Sequence, residues 1–171
     1  MTGRLLLAAA LAMPALFAQA ANPLSADAKA LWAQIKTNNL KAAEKMPESE
    51  YGFKPAPEVR SYGQLVAHIA DGNLLICGGA KGEAQRPAAE KTKTTKAEII
   101  AALQESIAYC DAAYDAMTDA EGLKMIKLFG RDRTKITALF LNVSHANEHY
   151  GNQVTYLRLK GIVPPSSEPR R

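Results

Sequence analysis

Residues 134–160 read TKITALFLNVSHANEHYGNQVTYLRLK, a run without proline in which apolar side chains recur at helical spacing. At 100° per residue they form two stripes on nearly opposite sides of a helix. One stripe comprises Ile136, Phe140, Val143, Asn147, Tyr150, Val154 and Leu157, and the other comprises Ala138, Leu141, His145, His149, Asn152 and Tyr156. A helix that is apolar on two sides is expected to be buried on two sides. We therefore expect one face to meet the core and the other to meet a further helix or a second copy of the chain, which permits a homodimer.

Three earlier segments have the same helical character and are separated by clear breaks. They are predicted at residues 25–45, 61–81 and 95–117. Ser25 is the predicted N-cap of the first, while Ser61 and Thr95 each precede a glutamine or glutamate by three residues, as in a capping box. Residues 46–60 carry three prolines and cannot continue a helix. Four amphipathic helices with little strand signal predict an all-α fold, a four-helix bundle.

The segment between the third and fourth predicted helices gives mixed signals. Thr118 with Glu121 fits the start of a short extra helix, and residues 123–129 alternate as a short strand would. We predict irregular structure there.

The first 20 residues have the pattern of a signal peptide. A basic start at Arg4 is followed by an apolar run at residues 5–17 and by the small-x-small sequence Ala-Gln-Ala at residues 18–20. The apolar run is shorter than the roughly 20 residues that a transmembrane helix needs. We expect residues 21–171 to be one exported domain, periplasmic or secreted, and Ala21 after the predicted cut gives no site for a lipid anchor.

The charge of the chain does not favour a nucleic-acid partner. The formal net charge is +4, and Lys91, Lys93 and Lys96 alternate with threonine and have no aromatic neighbours. This pattern is typical of a solvated loop and not of a nucleic-acid surface.

All three histidines of the chain lie in predicted helices. His145 and His149 are four residues apart and therefore share one helix face, while His68 is central in the second predicted helix. Burying two imidazoles is costly unless they have partners, and one metal ion would satisfy both. A third imidazole from a packed neighbour would complete a three-histidine site with an open position. The alternative is three histidines that are merely buried and hydrogen-bonded.

Residues 145–149, HANEH, also match the inverted zinc-protease pattern H-x-x-E-H, in which Glu148 would be a general base. Those enzymes take a third ligand from a distant downstream glutamate, whereas here only Glu168 follows, in a proline-rich tail. We set the protease interpretation aside and retain Glu148 as a residue beside the site.

Two motifs resemble the DinB-like superfamily of metal-binding four-helix bundles. They are AHIAD at residues 67–71 and SHANEHYG at residues 144–151, and the ending YLRLKGIVPPS at residues 156–166 resembles exported bacterial members. The resemblance implies that His68, His145 and His149 bind a divalent ion such as zinc or nickel. Some relatives are thiol-dependent transferases or isomerases. Relatives often carry Arg-Gly-Gln after the last ligand, where this chain has Tyr-Gly-Asn at residues 150–152.

The family topology is up-down-down-up, with a long crossover that makes the second and third helices parallel. In that arrangement Cys77 and Cys110 lie level with one another, whereas in an antiparallel pair they would be too far apart to bond. An exported chain with two level cysteines is expected to form the disulfide.

We consider two main hypotheses for the function. The first is a metal-dependent enzyme, a hydrolase or thiol transferase, in which Asn152 and Tyr156 orient an unidentified small molecule. The second is a metal-binding module of the cell envelope without catalysis.

Overall fold

The computed structural model describes residues 22–169 and is mainly helical, as predicted. Its elements are α1 (Pro23–Lys45), α2 (Tyr62–Lys81), α3 (Ala89–Thr92), α4 (Lys96–Asp115), α5 (Asp119–Gly122), β1 (Met125–Leu128), β2 (Arg131–Thr134) and α6 (Lys135–Leu159), with short 3-10 turns at Glu48–Glu50 and Pro165–Ser167. The predicted signal peptide, residues 1–20, lies outside the described residues. Within residues 22–169, none of the helices is both long and apolar enough to span a membrane.

The all-α prediction is wrong at residues 125–134, which form a two-stranded antiparallel hairpin. Leu128 pairs with Arg131, so Phe129 and Gly130 form the two-residue turn, both with positive φ (51° and 74°). Such turns match the twist of the strands. Leu128 is buried against Gly79, where an added Cβ would collide with the leucine side chain. The hairpin is therefore fixed to α2 through a close approach that glycine permits.

The prediction of irregular structure at residues 118–124 is also wrong in part, because α5 forms there. The Thr118 hydroxyl accepts from the backbone N–H of Glu121 at 3.1 Å. The Glu121 carboxylate in turn accepts from Lys124 at 2.6 Å and from Lys135 at 2.5 Å, and these two lysines lower the pKa of Glu121 to about 2. The short helix is thus tied to the start of α6.

The helix starts follow the predicted caps at two of the four long helices. Ser61 and Thr95 both form complete capping boxes, and Thr134 caps α6. Ser25, however, is not the cap of α1, which begins two residues earlier at Pro23. The Asp119 carboxylate accepts from the N–H groups of Leu24 and Ser25 at 3.2 and 2.9 Å, so the cap comes from a distant segment.

The four long helices pack around one core. Trp32 of α1 stacks on Tyr114 of α4 with ring centroids 5.2 Å apart, and its Nε1–H donates to Asp111 at 2.7 Å. The Cys77–Cys110 disulfide, whose Cα atoms are 5.4 Å apart, joins α2 to α4.

α6 buries one broad face, not the two opposite faces that we expected, and this face packs against both α1 and α2. Leu139, Asn142, Ala146 and Gln153, which lie between the two predicted stripes, are fully buried. Asn39 of α1 donates to the carbonyl of Ala146 at 3.3 Å, while Gly72 of α2 lies against the ring of His145. Phe140, predicted for the first stripe, is 36% exposed. Asn147 and Asn152, one from each predicted stripe, are exposed, and the homodimer stays a prediction.

Candidate metal centre

The three histidines meet where α2 faces α6. Nε2 of His145 lies 3.3 Å from Nε2 of His68 and 3.1 Å from Nε2 of His149. One ring nitrogen of each histidine lies within 4.8 Å of the other two. His149 is buried, at 7% exposure, and the other two are half-buried. The structure thus brings together all three histidines that the sequence singled out.

The donor set and its spacing fit a single ion. Imidazole nitrogens bound to zinc at about 2.05 Å in tetrahedral geometry lie about 3.3 Å apart, close to both short distances here. Burial and the neighbouring His68 lower the pKa of His145, and burial together with His145 and His68 lowers the pKa of His149 to about 4. Both rings are therefore neutral at pH 7, the form in which an imidazole binds metal.

A carboxylate fixes the orientation of His68. Glu90 lies 3.0 Å from Nδ1 of His68 through one oxygen and accepts from Nε of Arg60 at 2.8 Å through the other. Partial burial opposes ionisation of Glu90, but the hydrogen bonds from Arg60 and His68 outweigh it and lower the pKa of Glu90. Because an ionised carboxylate only accepts, Nδ1 of His68 must carry the proton. Its Nε2 lone pair then points towards the other two histidines, the arrangement common among metal ligands.

Glu90 reaches the site because α3 is held against α2. Both carboxylate oxygens of Asp71 accept backbone N–H groups at the start of α3, from Ala89 at 2.8 Å and from Glu90 at 3.0 Å. Asp71 is three residues after His68 and so lies on the same side of α2. One face of α2 thus carries both a histidine and the clamp that positions its carboxylate partner. His145 and His149 lack such a partner, since their buried Nδ1 atoms have no hydrogen bond among the described residues.

Gly72 makes room for His145. A Cβ added at Gly72 would lie 2.8 Å from Nδ1 and 3.1 Å from Nε2 of His145, and closer still to Cε1. Any larger residue at this position would occupy the place of the imidazole. The absence of a side chain at Gly72 is therefore part of the site.

Two clefts open onto the histidines, and Glu90 lines both of them. The first, called here the His149 cleft, has a volume of about 630 Å³ and is lined by His149, Arg60, Asn152 and Tyr156 among others. The second, the His145 cleft, has a volume of about 610 Å³ and is lined by His68 and His145. Both volumes lie in the range of small-molecule sites.

The residues predicted to lie beside the ligands have different surroundings. Glu148 is exposed, and its negative charge acts on His145 to raise that residue's pKa, against the net lowering by burial. Asn152 is exposed at the edge of the His149 cleft. Tyr156 is buried and donates its hydroxyl to the carbonyl of Arg60 at 2.7 Å. Their roles towards a metal or substrate stay predictions.

Sequence reasoning missed Arg60, Gly72 and Glu90. One available signal was Asp71, whose three-residue spacing from His68 puts an unexplained carboxylate on the ligand side of α2. The position of Glu90 itself depends on how the crossover between α2 and α4 folds back, which has no local pattern.

Comparison with known proteins defines the class. The model of the DinB superfamily matches residues 14–152, so the chain belongs to that superfamily. Among individual relatives, the chain is 28% identical over 129 residues to the uncharacterized protein YjoA of Bacillus subtilis (strain 168), which covers 73% of this chain and 82% of that protein.

Solved structures share the fold. A DinB-like protein from Bacillus subtilis, YjoA, superposes with a TM-score of 0.69 at 23% identity, over 85% of this chain and 99% of that chain. A DinB-like protein from Bacillus cereus ATCC 10987 gives 0.69 at 19% identity, over 78% and 91%. A mycothiol-dependent maleylpyruvate isomerase gives 0.63 at 16% identity, over 75% of this chain and 60% of that chain.

Proposed function

We propose that the protein is a metal-dependent enzyme that holds one divalent ion, zinc or nickel, with His68, His145 and His149. The observation that carries the proposal is the convergence of three Nε2 atoms, with short distances of 3.1 and 3.3 Å. Without an ion these nitrogens face one another, and the Glu90 carboxylate leaves the Nε2 of His68 with only a lone pair. Three histidines leave coordination positions for a substrate, as in catalytic zinc sites.

A bound ion would supply Lewis acidity towards an oxygen or sulfur atom of a small molecule. The chain would supply orientation. Glu90 holds His68 in one tautomer and is itself held by Arg60 and by the Asp71 clamp. The Tyr156–Arg60 hydrogen bond fixes the wall of the His149 cleft, so a ligand entering there meets a rigid polar surface.

The reaction class that we propose is hydrolysis or transfer to a thiol. Two separate clefts beside one metal centre suit a reaction that joins or exchanges two groups. The fold is shared with an isomerase whose name states a dependence on mycothiol, which supports the thiol option through the fold alone.

The setting of this activity is part of the proposal. The segment at residues 1–20 supports export to the cell envelope.

For the arrangement of helices we infer an up-down-down-up four-helix bundle. In support, α2 and α4 are parallel, because the residue numbers rise on both helices from the Asn73–Ser106 contact to the Cys77–Cys110 contact. α2 and α6 are antiparallel, since His68 contacts His149 whereas Gly72, further along α2, contacts the earlier residue His145.

The test is elemental analysis of the mature protein, purified without chelator and without an affinity tag that contains histidine. We expect about one zinc or nickel ion per chain in the wild type and in Asn147→Ala, an exposed control on α6, and none in His145→Ala. Turnover of ester, amide or thiol-conjugate substrates that the same variant abolishes would establish an enzyme. Metal without turnover would leave a binding module. A wild type that stays metal-free after dialysis against both ions would refute the proposal.

A further inference from the structure

The His145 cleft contains an arginine whose buried Nε has no hydrogen-bond partner in the described part of the chain. Arg133 lies on β2, and its Nε is buried and makes no hydrogen bond within residues 22–169. Strand alternation places Arg133 on the same face of the hairpin as the buried Leu128. On the opposite face, Asp132 pairs with Lys127 at 3.2 Å, so the nearest acidic residue of the hairpin is directed away from the cleft.

The acidic groups in the cleft are already engaged. Asp71 accepts two backbone N–H groups of α3, and Glu90 accepts from Arg60 and His68. Neither carboxylate forms an ion pair with Arg133. The cleft also receives Arg86 from the crossover, and in the described part of the chain neither arginine has an ion pair. Leaving the buried Nε–H of Arg133 without an acceptor is costly, and a carboxylate matches the planar fork of a guanidinium.

Apart from Gln85, the remaining wall of the cleft is apolar. Leu75 and Ile76 of α2 and Leu141 of α6 line it, and His68 and His145 lie at the same cleft. The His149 cleft differs, since it is lined by Lys54, Glu58 and other polar groups. Of the two clefts, the His145 cleft is thus the one suited to a molecule with an apolar body and an anionic group.

From these observations we infer that the His145 cleft binds small amphipathic carboxylates, whose carboxylate pairs with Arg133 and whose apolar body lies along Leu75, Ile76 and Leu141. The inference rests on the proposed function in so far as it names the substrate class of the same site. Arg86, which is exposed, adds long-range attraction. The binding itself requires Arg133 and does not require turnover.

The test uses the mature protein loaded with zinc and a matched pair of probes, 4-phenylbutyrate and its neutral amide, in calorimetric titrations at pH 7. We expect the carboxylate to bind at least about 10-fold more tightly than the amide, and Arg133→Gln to weaken the carboxylate by about 10- to 100-fold. Arg133→Lys keeps the positive charge but loses the planar fork of the guanidinium. Its affinity for the carboxylate should lie between those of the wild type and Arg133→Gln. Arg131→Gln removes an exposed arginine of the same strand and should change nothing.

Each contrary result overturns the inference. Equal binding of acid and amide would remove the anion requirement. Full affinity in Arg133→Gln would mean that the carboxylate binds elsewhere, for example at the metal. Displacement by millimolar inorganic phosphate alone would indicate a bare anion site without selection for an apolar body. No binding of either probe would refute the substrate class, and thermal unfolding of each variant separates these results from misfolding.

Measuring metal content on the same samples separates this inference from the proposed function. A metal-free wild type that still binds the carboxylate through Arg133 would refute the metal proposal and leave the anion site. A zinc-loaded protein that does not bind the carboxylate would refute the anion site and leave the metal proposal intact.

Discussion

The contact between Gly72 and His145 gives a sharp test of the metal centre, because Gly72→Ala disturbs the site without removing any of the three histidines. The added Cβ would lie 2.8 Å from Nδ1 of His145, whereas ordinary contacts begin at 3.4 Å. The ring would have to withdraw by roughly 0.6 Å at this atom and by more at Cε1. Metal–ligand distances tolerate only about 0.2 Å. The displacement is therefore several times larger than a bound ion accepts.

We expect Gly72→Ala to weaken zinc binding by about 10- to 100-fold, the range for substitutions that misplace a ligand without removing it. The matched control is Gly151→Ala, because Gly151 is also inside a helix but has nothing within 4 Å of an added Cβ. Alanine should stabilise that helix by up to about 1 kcal/mol relative to glycine. At Gly72 the same gain is opposed by an overlap that costs about 1–3 kcal/mol.

The assay is competition with a zinc chelator, together with thermal unfolding of the metal-free proteins. Wild-type affinity in Gly72→Ala, with the control also unchanged, would show that His145 does not bind the ion in the observed position. Equal losses of zinc affinity in both variants would show that alanine acts by changing the helices and not by displacing the imidazole of His145.

Three further outcomes are expected. Glu90→Gln removes the carboxylate that fixes the tautomer of His68, so zinc affinity should fall by about 10-fold or more in the same competition assay. Replacing Cys77 and Cys110 by alanine opens a link across 33 residues and should lower the free energy of unfolding by about 3–4 kcal/mol, measured in urea. Glu121→Gln should lower Tm at pH 7, and the difference from wild type should shrink as pH falls from 4.5 to 2, because ion pairs hold the pKa of Glu121 at about 2 and its stabilisation is lost on protonation.

Controls keep these outcomes distinct. Glu105→Gln changes an exposed carboxylate of α4 and should leave zinc affinity intact, so an equal loss there would contradict the role given to Glu90. The double cysteine variant should no longer respond to reductant, whereas the wild type should lose stability when reduced. A Tm difference for Glu121→Gln that persists unchanged at pH 2 would contradict the ion-pair explanation.

The shared face of His145 and His149 was predictable because it depends on local geometry, whereas the approach of His68, 77 residues from His145, was expected from the family resemblance. Two residues four apart on a helix must share a face, and the capping boxes at Ser61 and Thr95 fixed where two of the helices begin. The two stripes of α6 were a misleading signal, since the helix buries one broad face that lies between them. Local rules cover the shared histidine face and the capping boxes, since each depends on residues within a few positions of one another.

The remaining features depend on contacts between distant segments. The start of α1 is set by Asp119, 94 residues after Ser25, so the local serine was a misleading signal. The hairpin turn places Phe129 at a positive φ, which is unusual for an aromatic residue and hides the turn from sequence rules. Glu90 reaches His68 only because Asp71 anchors α3. None of these pairs has a spacing that periodicity could detect.

The disulfide between α2 and α4 also bears on how the centre would acquire its ion. It lies nine residues beyond His68 on the same helix and holds α2 in the core without any contribution from the histidines. In many small metalloproteins the ion drives folding, and its removal unfolds the chain. Here the covalent link and the buried core should keep the ligands preorganised in the apo form. Loading would then be an exchange between a folded protein and its surroundings, controlled by the free concentrations of competing ions and not by the order of folding events.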